Sequence, residues 1–147
     1  MAERRAKILI VDDTEQSRIS LRDALSDEGY EIVEATDGLA AVSAFQSHSP
    51  DLILMDVRMP GLDGFGASSR IRALPGGLEI PILFVTALRD LDTFDAAQRA
   101  GANDFLTKPV NLAQLVSRVA TALKLRQMSV ELRSTYEQLK NQRDELL

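Results

Sequence analysis

The 147-residue chain has no cysteine, a single histidine and no long apolar run. Without cysteine there is no disulfide, no zinc–thiolate centre and no thiol nucleophile. The one histidine, His48, lies in the polar stretch "QSHSP" and reads as a solvated loop residue ahead of a proline. With soft ligands so scarce, a bound metal should be a hard, oxygen-preferring ion such as Mg²⁺. No apolar run is long enough to cross a bilayer. Arg4, Arg5 and Lys7 precede the apolar stretch Ile8 to Val11, but Asp12-Asp13 ends it too soon for a secretion signal. The expected location is therefore the cytoplasm, with no membrane partner. The net charge of −5 argues against direct nucleic-acid binding.

What is present is a pattern. Four runs, "KILIV" (7–11), "DLILM" (51–55), "PILFV" (81–85) and "DFLT" (104–107), read as strands buried on both faces. A fifth, "YEIVEA" (30–35), alternates and suits a sheet edge. Helix-like stretches at 15–27, 38–47, 63–73 and 90–100 separate them, with Gly29 and Gly101 as stop signals. Strand alternating with helix predicts an α/β domain with a parallel sheet and helices on both faces. The stretch "ALPGGLEIP" (73–81) reads as a flexible surface loop.

In open α/β sheets, ligands bind beyond the carboxyl ends of the strands. The first run is followed by Asp12-Asp13, the third by Asp56, the fourth by Thr86 and the last by Lys108-Pro109. Taken singly, each has a bland explanation. Asp12 or Asp13 suits a helix N-cap, Asp56 a turn, Thr86 a strand or cap, and Lys108 a solvated loop. None of these explains why all of them follow strand ends. Two unit charges about 4 Å apart repel by about 4 kcal/mol at an effective dielectric near 20. The cluster therefore calls for a proton or a cation, and Mg²⁺ would leave coordination places for phosphate oxygens. A carboxylate is also an oxygen nucleophile towards phosphorus.

Four motifs in order, "ILIVDD" (8–13), "DLILMDVRMPGLDG" (51–64), "IPILFVTA" (80–87) and "GANDFLTKP" (101–109), resemble the receiver domain of two-component response regulators. The resemblance covers about residues 6 to 125. It implies a flavodoxin-like three-layer (βα)5 sandwich with parallel strand order 2-1-3-4-5. It further implies that Asp56 is the phosphoacceptor, with phosphoryl arriving from a sensor histidine kinase, a phosphotransfer protein or a small phosphodonor. Mg²⁺ would be held by Asp12, Asp13, Asp56 and the backbone carbonyl of Arg58, with Asp13 the more direct of the first pair. Lys108 would pair with Asp56 and then with the phosphoryl oxygens, aimed by a cis peptide at Pro109. Gly64 would permit a tight turn after Pro60-Gly61. Thr86 and Phe105 would form the switch, with Phe105 lacking the hydroxyl that many receivers carry there. Arg58 would overhang the site and tune phosphate loss in a direction the sequence does not give. Such a protein is its own substrate, so it is not an enzyme in the turnover sense.

The helix after Pro109 outruns the domain. Leu125, Leu132, Leu139 and Leu146 recur every seven residues, with Ser129, Tyr136 and Arg143 at the other seam position. This predicts a receiver over 1–125 and a coiled-coil linker over 126–147, a parallel homodimer through Leu125, Leu132, Tyr136, Leu139 and Leu146, and an output module beyond the end. From 126 onward, four basic and four acidic residues balance, which excludes a basic nucleic-acid arm.

Three rival functions remain open. One is a pseudo-receiver adaptor that binds without phosphorylation. Another is a Mg²⁺-dependent phosphohydrolase of the haloacid-dehalogenase type, which usually carries Asp-x-Asp after the first strand. A flavin protein is the third, although Asp12-Asp13 would repel the cofactor's phosphate.

Overall fold

The computed structural model describes residues 5–87, 95, 99 and 103–146. Its elements run β1 (Lys7–Val11), α1 (Glu15–Ser26), β2 (Glu31–Ala35), α2 (Gly38–His48) and β3 (Leu52–Asp56). They continue with α3 (Gly64–Arg72), β4 (Ile82–Thr86), β5 (Asp104–Thr107) and α4 (Leu112–Leu146). Of the helix expected over 90–100, Asp95 and Arg99 are helical and the rest lies outside the described residues. The five strands are all parallel, in the order β2-β1-β3-β4-β5. This is the predicted α/β, flavodoxin-like topology.

Alternation along the central strands divides the core in two. Leu9, Val11, Ile53, Met55, Ile82 and Phe84 pack on one face with Ala41 and Phe45 of α2 and Ala67 and Ile71 of α3. Ile8, Ile10, Leu52, Leu54, Leu83 and Val85 pack on the other with Leu21 and Leu25 of α1 and Leu115 and Val119 of α4. Because both faces are covered, β1, β3 and β4 read as unbroken apolar runs. β2 lies at one edge, as its alternation suggested. β5 was expected to be buried on both faces but forms the opposite edge, with Asp104 and Phe105 half-buried and Thr107 exposed. Among the described strands, its four residues have only β4 as a neighbour.

Local chemistry sets the helix ends. Asp37 and Asp63 are N-caps whose carboxylates accept the backbone N–H of Ala40 and Gly66, each at 2.7 Å. Such caps are worth about 1 kcal/mol each. His48 is not in a loop: it is the last residue of α2, which ends at Ser49 in the left-handed region (φ 47°). The Lys7 ammonium donates to the His48 carbonyl at 3.0 Å, placing a cation at that helix C-terminus.

The loop 73–81 is also not free. The Arg72 guanidinium donates to the carbonyls of Gly77 (2.8 Å) and Ile80 and to Asn103 Oδ1 (3.1 Å). Asn103 Oδ1 also accepts the Ile82 N–H at 2.8 Å, so one side chain ties α3, the loop and the starts of β4 and β5 together. Ile80 is buried at the end of the loop. Arg72→Ala should destabilise the protein by about 2–3 kcal/mol, because buried carbonyls lose a charged donor. Denaturant unfolding would show this as a lower midpoint with an unchanged slope.

At about 1.5 Å per residue, α4 is roughly 52 Å long. It packs on the sheet through Leu115 and Val119 and is fastened by Arg118 to Asp104, Arg126 to Asp51 (2.7 Å) and Arg133 to Glu79. The boundary expected at 125/126 falls inside this continuous helix, whose side chains touch the domain as far as residue 133. Among the described residues no helix is long and apolar enough to cross a membrane.

Candidate functional site

The carboxyl ends of β1, β3, β4 and β5 converge at one edge of the sheet. Asp12 directly follows β1 and is fully buried, Asp56 closes β3 at 5% exposure, and Asp13 is exposed. One carboxylate oxygen from each of the three lies within 4.8 Å of the others. Lys108 Nζ reaches Asp56 Oδ2 at 3.2 Å and Asp12 Oδ2 at 3.7 Å. Its backbone N–H donates to the Thr86 carbonyl at 2.8 Å, and the Lys108–Pro109 peptide is cis, as expected. Thr86, the last residue of β4, is buried.

Asp12 is not the N-cap of α1; Thr14 is. The Asp12 carboxylate instead accepts the Thr14 N–H at 2.9 Å and the Ser17 hydroxyl at 2.6 Å. The Arg18 guanidinium donates to the Asp12 carbonyl at 2.9 Å and to Glu34 at 3.0 Å. These contacts hold a buried acid in one orientation, and Ser17 and Arg18 were not anticipated. Their only sequence signal is one helical turn of spacing after the acidic pair, which many surface helices share.

Burial pushes the Asp56 carboxyl above its ordinary pKa. The nearby Lys108 ammonium pulls it back down, while the charges of Asp12 and Asp13 raise it further. The net upward shift therefore comes first from burial of the charge, which the Lys108 ammonium offsets only in part.

Gly64 serves the site by close approach, not through a turn conformation. The left-handed residue in this loop is Gly61 (φ 77°). A Cβ on Gly64 would lie 2.2 Å from the Asp56 carbonyl oxygen, and the Gly64 N–H donates to the Val57 carbonyl at 2.8 Å. This pins the start of α3 against the end of β3. Arg58 is exposed, and with Asp13, Met59 and Asp63 it borders an open cleft of about 600 Å³ beside the carboxylates. Phe105 is half-buried against the α2/α3 core, paired in register with Phe84, two residues before Thr86.

The donor set suits a hard divalent cation. It offers three carboxylates with two of them buried, no nitrogen or sulfur ligand, and an open cleft where waters can complete the coordination.

The family model described as "Response regulator receiver domain" matches residues 8–120. PleD, a response regulator of Caulobacter vibrioides, is 38% identical over 128 residues, which is 87% of this chain and 28% of PleD. The chain thus spans little more than a quarter of that relative's length. Among solved structures, the chemotaxis protein CheY4 of Vibrio cholerae is 31% identical with a TM-score of 0.78, covering 81% of this chain and 99% of its own. The receiver domain of the Pseudomonas aeruginosa sensor histidine kinase PA1611, with a magnesium ion coordinated in its active-site cleft, is 32% identical with a TM-score of 0.77, covering 82% and 99%. The strand order, the clustered acids and these likenesses agree: this chain belongs to the receiver-domain family of two-component response regulators.

Proposed function

We propose that the chain accepts a phosphoryl group on Asp56 from a histidine kinase or phosphotransfer partner in the cytoplasm. The observation that carries this reading is the gathering of the Asp12, Asp13 and Asp56 carboxylates within 4.8 Å, with the Lys108 ammonium 3.2 Å from Asp56. An Asp56 carboxylate oxygen attacks phosphorus, the bond from phosphorus to the donor's nitrogen or oxygen breaks, and the leaving group takes a proton. Water later attacks the aspartyl phosphate and releases inorganic phosphate. The protein is consumed and restored once per cycle, so it acts as a stoichiometric acceptor.

Asp12, Asp13, Asp56 and the Arg58 carbonyl would hold Mg²⁺. Bound there, the ion supplies charge neutralisation at the phosphoryl oxygens. Lys108 neutralises a further oxygen, and its backbone N–H, bonded to the Thr86 carbonyl, ties the ends of β4 and β5 together beside the acceptor. Phosphorylation adds about 1.5 to 2 negative charges. Thr86 donates to a phosphoryl oxygen, and Phe105 moves inward along the Phe84 side of β4 to fill the space vacated. Driving such a two-state change from 1:99 to 99:1 requires about 5.5 kcal/mol of differential interaction. The readout is a repacked β4–β5 edge that biases self-association through α4 and an attached output module.

Incubation with acetyl phosphate and Mg²⁺ should give a single phosphoryl adduct by intact mass. EDTA should abolish it, because three carboxylates without a cation repel an incoming phosphate. Mg²⁺ alone should stabilise the fold by about 2.7 kcal/mol at about 100 times its dissociation constant. No adduct under any condition, or one that survives Asp56→Asn, would replace this reading with that of a binding adaptor.

A further inference from the structure

The three acids at the strand ends are not held alike. Asp13 is exposed, and Asp56 takes a hydrogen bond from the Lys108 ammonium at 3.2 Å. Asp12 is bonded at every polar group it has. Its N–H donates to the Ala35 carbonyl at 3.1 Å, and its carbonyl accepts from the Arg18 guanidinium at 2.9 Å. Arg18 is itself anchored to Glu34 of β2 at 3.0 Å. The main chain of Asp12 is thus fixed by β2 and α1. The rotation of its carboxylate is fixed by two donors: Oδ1 accepts the Thr14 N–H at 2.9 Å, and Oδ2 accepts the Ser17 hydroxyl at 2.6 Å.

Ser17 is the third residue of α1, whose N-cap, Thr14, makes no side-chain cap bond. The Ser17 hydroxyl reaches back past that cap to Asp12, and alanine at the same place would be the better helix former. A length of 2.6 Å is what a hydroxyl makes with an ionised carboxylate. The serine therefore acts on the acid and not on the helix.

The same oxygen, Asp12 Oδ2, is 3.7 Å from the Lys108 ammonium, which lies nearer to Asp56 at 3.2 Å. One ammonium between two buried acids moves towards the oxygen that lacks another donor. With Ser17 in place Oδ2 is supplied, and Lys108 stays beside Asp56. Without the hydroxyl, Lys108 becomes the replacement donor, and a cation entering the site has to break that pair first.

We propose that Ser17 is a positioning residue that orients the Asp12 carboxylate for a divalent cation and sets the preference for Mg²⁺ over Ca²⁺. This rests on the reading that Asp12, Asp13 and Asp56 hold the ion, and it adds the residue that tunes them. Mg²⁺ demands near-ideal octahedral geometry, whereas Ca²⁺ accepts a looser and more variable set of oxygens. An acid locked in one rotation favours the smaller ion, and an acid free to swing gives that advantage up. Hydrogen-bond partners of metal-binding side chains contribute about 10- to 100-fold to metal affinity.

Backbone amide shifts of the full chain, followed by NMR during titration with MgCl2 and separately with CaCl2, give both dissociation constants without a phosphodonor. Ser17→Ala should weaken Mg²⁺ binding about tenfold and Ca²⁺ binding only about two- to threefold. Threonine and valine have the same shape and the same β-branched stiffness, so they separate the hydroxyl from side-chain volume. Ser17→Thr should bind Mg²⁺ within about threefold of the wild type, and Ser17→Val should behave like Ser17→Ala. Arg72→Ala, whose partners Gly77 and Asn103 lie at the opposite end of the sheet, should lower stability and leave both constants unchanged.

Equal Mg²⁺ affinity in Ser17→Ala and the wild type overturns the inference and leaves the metal site standing. So does a Ser17→Val that binds as tightly as Ser17→Thr. A loss of equal size for both ions overturns it too, because a generally loosened site would give that result. A wild type that binds neither ion removes the metal reading itself, and this inference with it.

Discussion

Asp56→Asn should remove the phosphoryl adduct completely and leave a protein that is more heat-stable at neutral pH. The first effect follows from chemistry: an amide oxygen is a poor nucleophile, and among the described residues no other buried carboxylate stands beside Lys108 except Asp12, whose oxygens are engaged by Thr14 and Ser17. The second follows from linkage. The folded state raises the Asp56 pKa, chiefly through burial and against the pull of Lys108, so it holds the proton more tightly than the unfolded chain does. The contribution of Asp56 to stability is therefore fully present below the unfolded carboxylate range and is lost as pH rises through the raised folded value. At pH 7 the ionised acid is a net cost, which asparagine removes.

The gain should be on the order of 1 kcal/mol, because the cost of burying the charged carboxylate is partly offset by the Lys108 ammonium 3.2 Å away. Thermal melts in EDTA at about pH 7 and about pH 4 give the check: the variant's advantage should shrink in acid. Retained labelling of Asp56→Asn, or an advantage that grows in acid, would contradict this account. Mg²⁺ should stabilise the wild type more than the variant, reversing the order of their melting temperatures.

Gly64→Ala should be the most damaging single-methyl substitution near the site. The added carbon would sit 2.2 Å from the Asp56 carbonyl oxygen and about 3 Å from the Val57 Cα, and all of these are backbone atoms that cannot rotate away. Either α3 lifts off the end of β3, breaking the 2.8 Å bond from the Gly64 N–H to the Val57 carbonyl, or the end of β3 is displaced. Overpacking against rigid backbone costs about 3 kcal/mol. Displacing a nucleophile by about 1 Å can slow its reaction about 100-fold. Chemical denaturation and the initial rate of acetyl phosphate labelling should both fall. An alanine variant with wild-type stability and rate would show that the approach is not as tight as described.

The central strands and the site were legible from local pattern. Continuous apolar runs ending in Asp12-Asp13, Asp56, Thr86 and Lys108 state both that helices cover the sheet twice and that polar chemistry is delivered to one edge. Those two features depend only on residue type and strand period. β5 was misjudged because "DFLT" is apolar in the middle, and burial at an edge depends on which strands are neighbours. His48 was read as loop because helix C-termini fray into polar sequence, and the left-handed Ser49 that ends α2 carries no glycine signal.

What the chain alone determined is therefore its alternation of strand and helix, the carboxylates and the lysine at the strand ends, and the seven-residue leucine row. Each is a periodicity or a terminus, written in neighbouring residues. Only the tertiary structure decided that Ser17 holds Asp12, that Arg72 closes the loop onto Asn103, and that Gly64 is needed for close approach. It alone showed Arg126 and Arg133 reaching back to Asp51 and Glu79. Arg72 and Asn103 are 31 residues apart and Arg126 and Asp51 are 75 apart, and contacts at such separations leave no mark on local sequence. They exist because right-handed crossovers stack distant segments in one place.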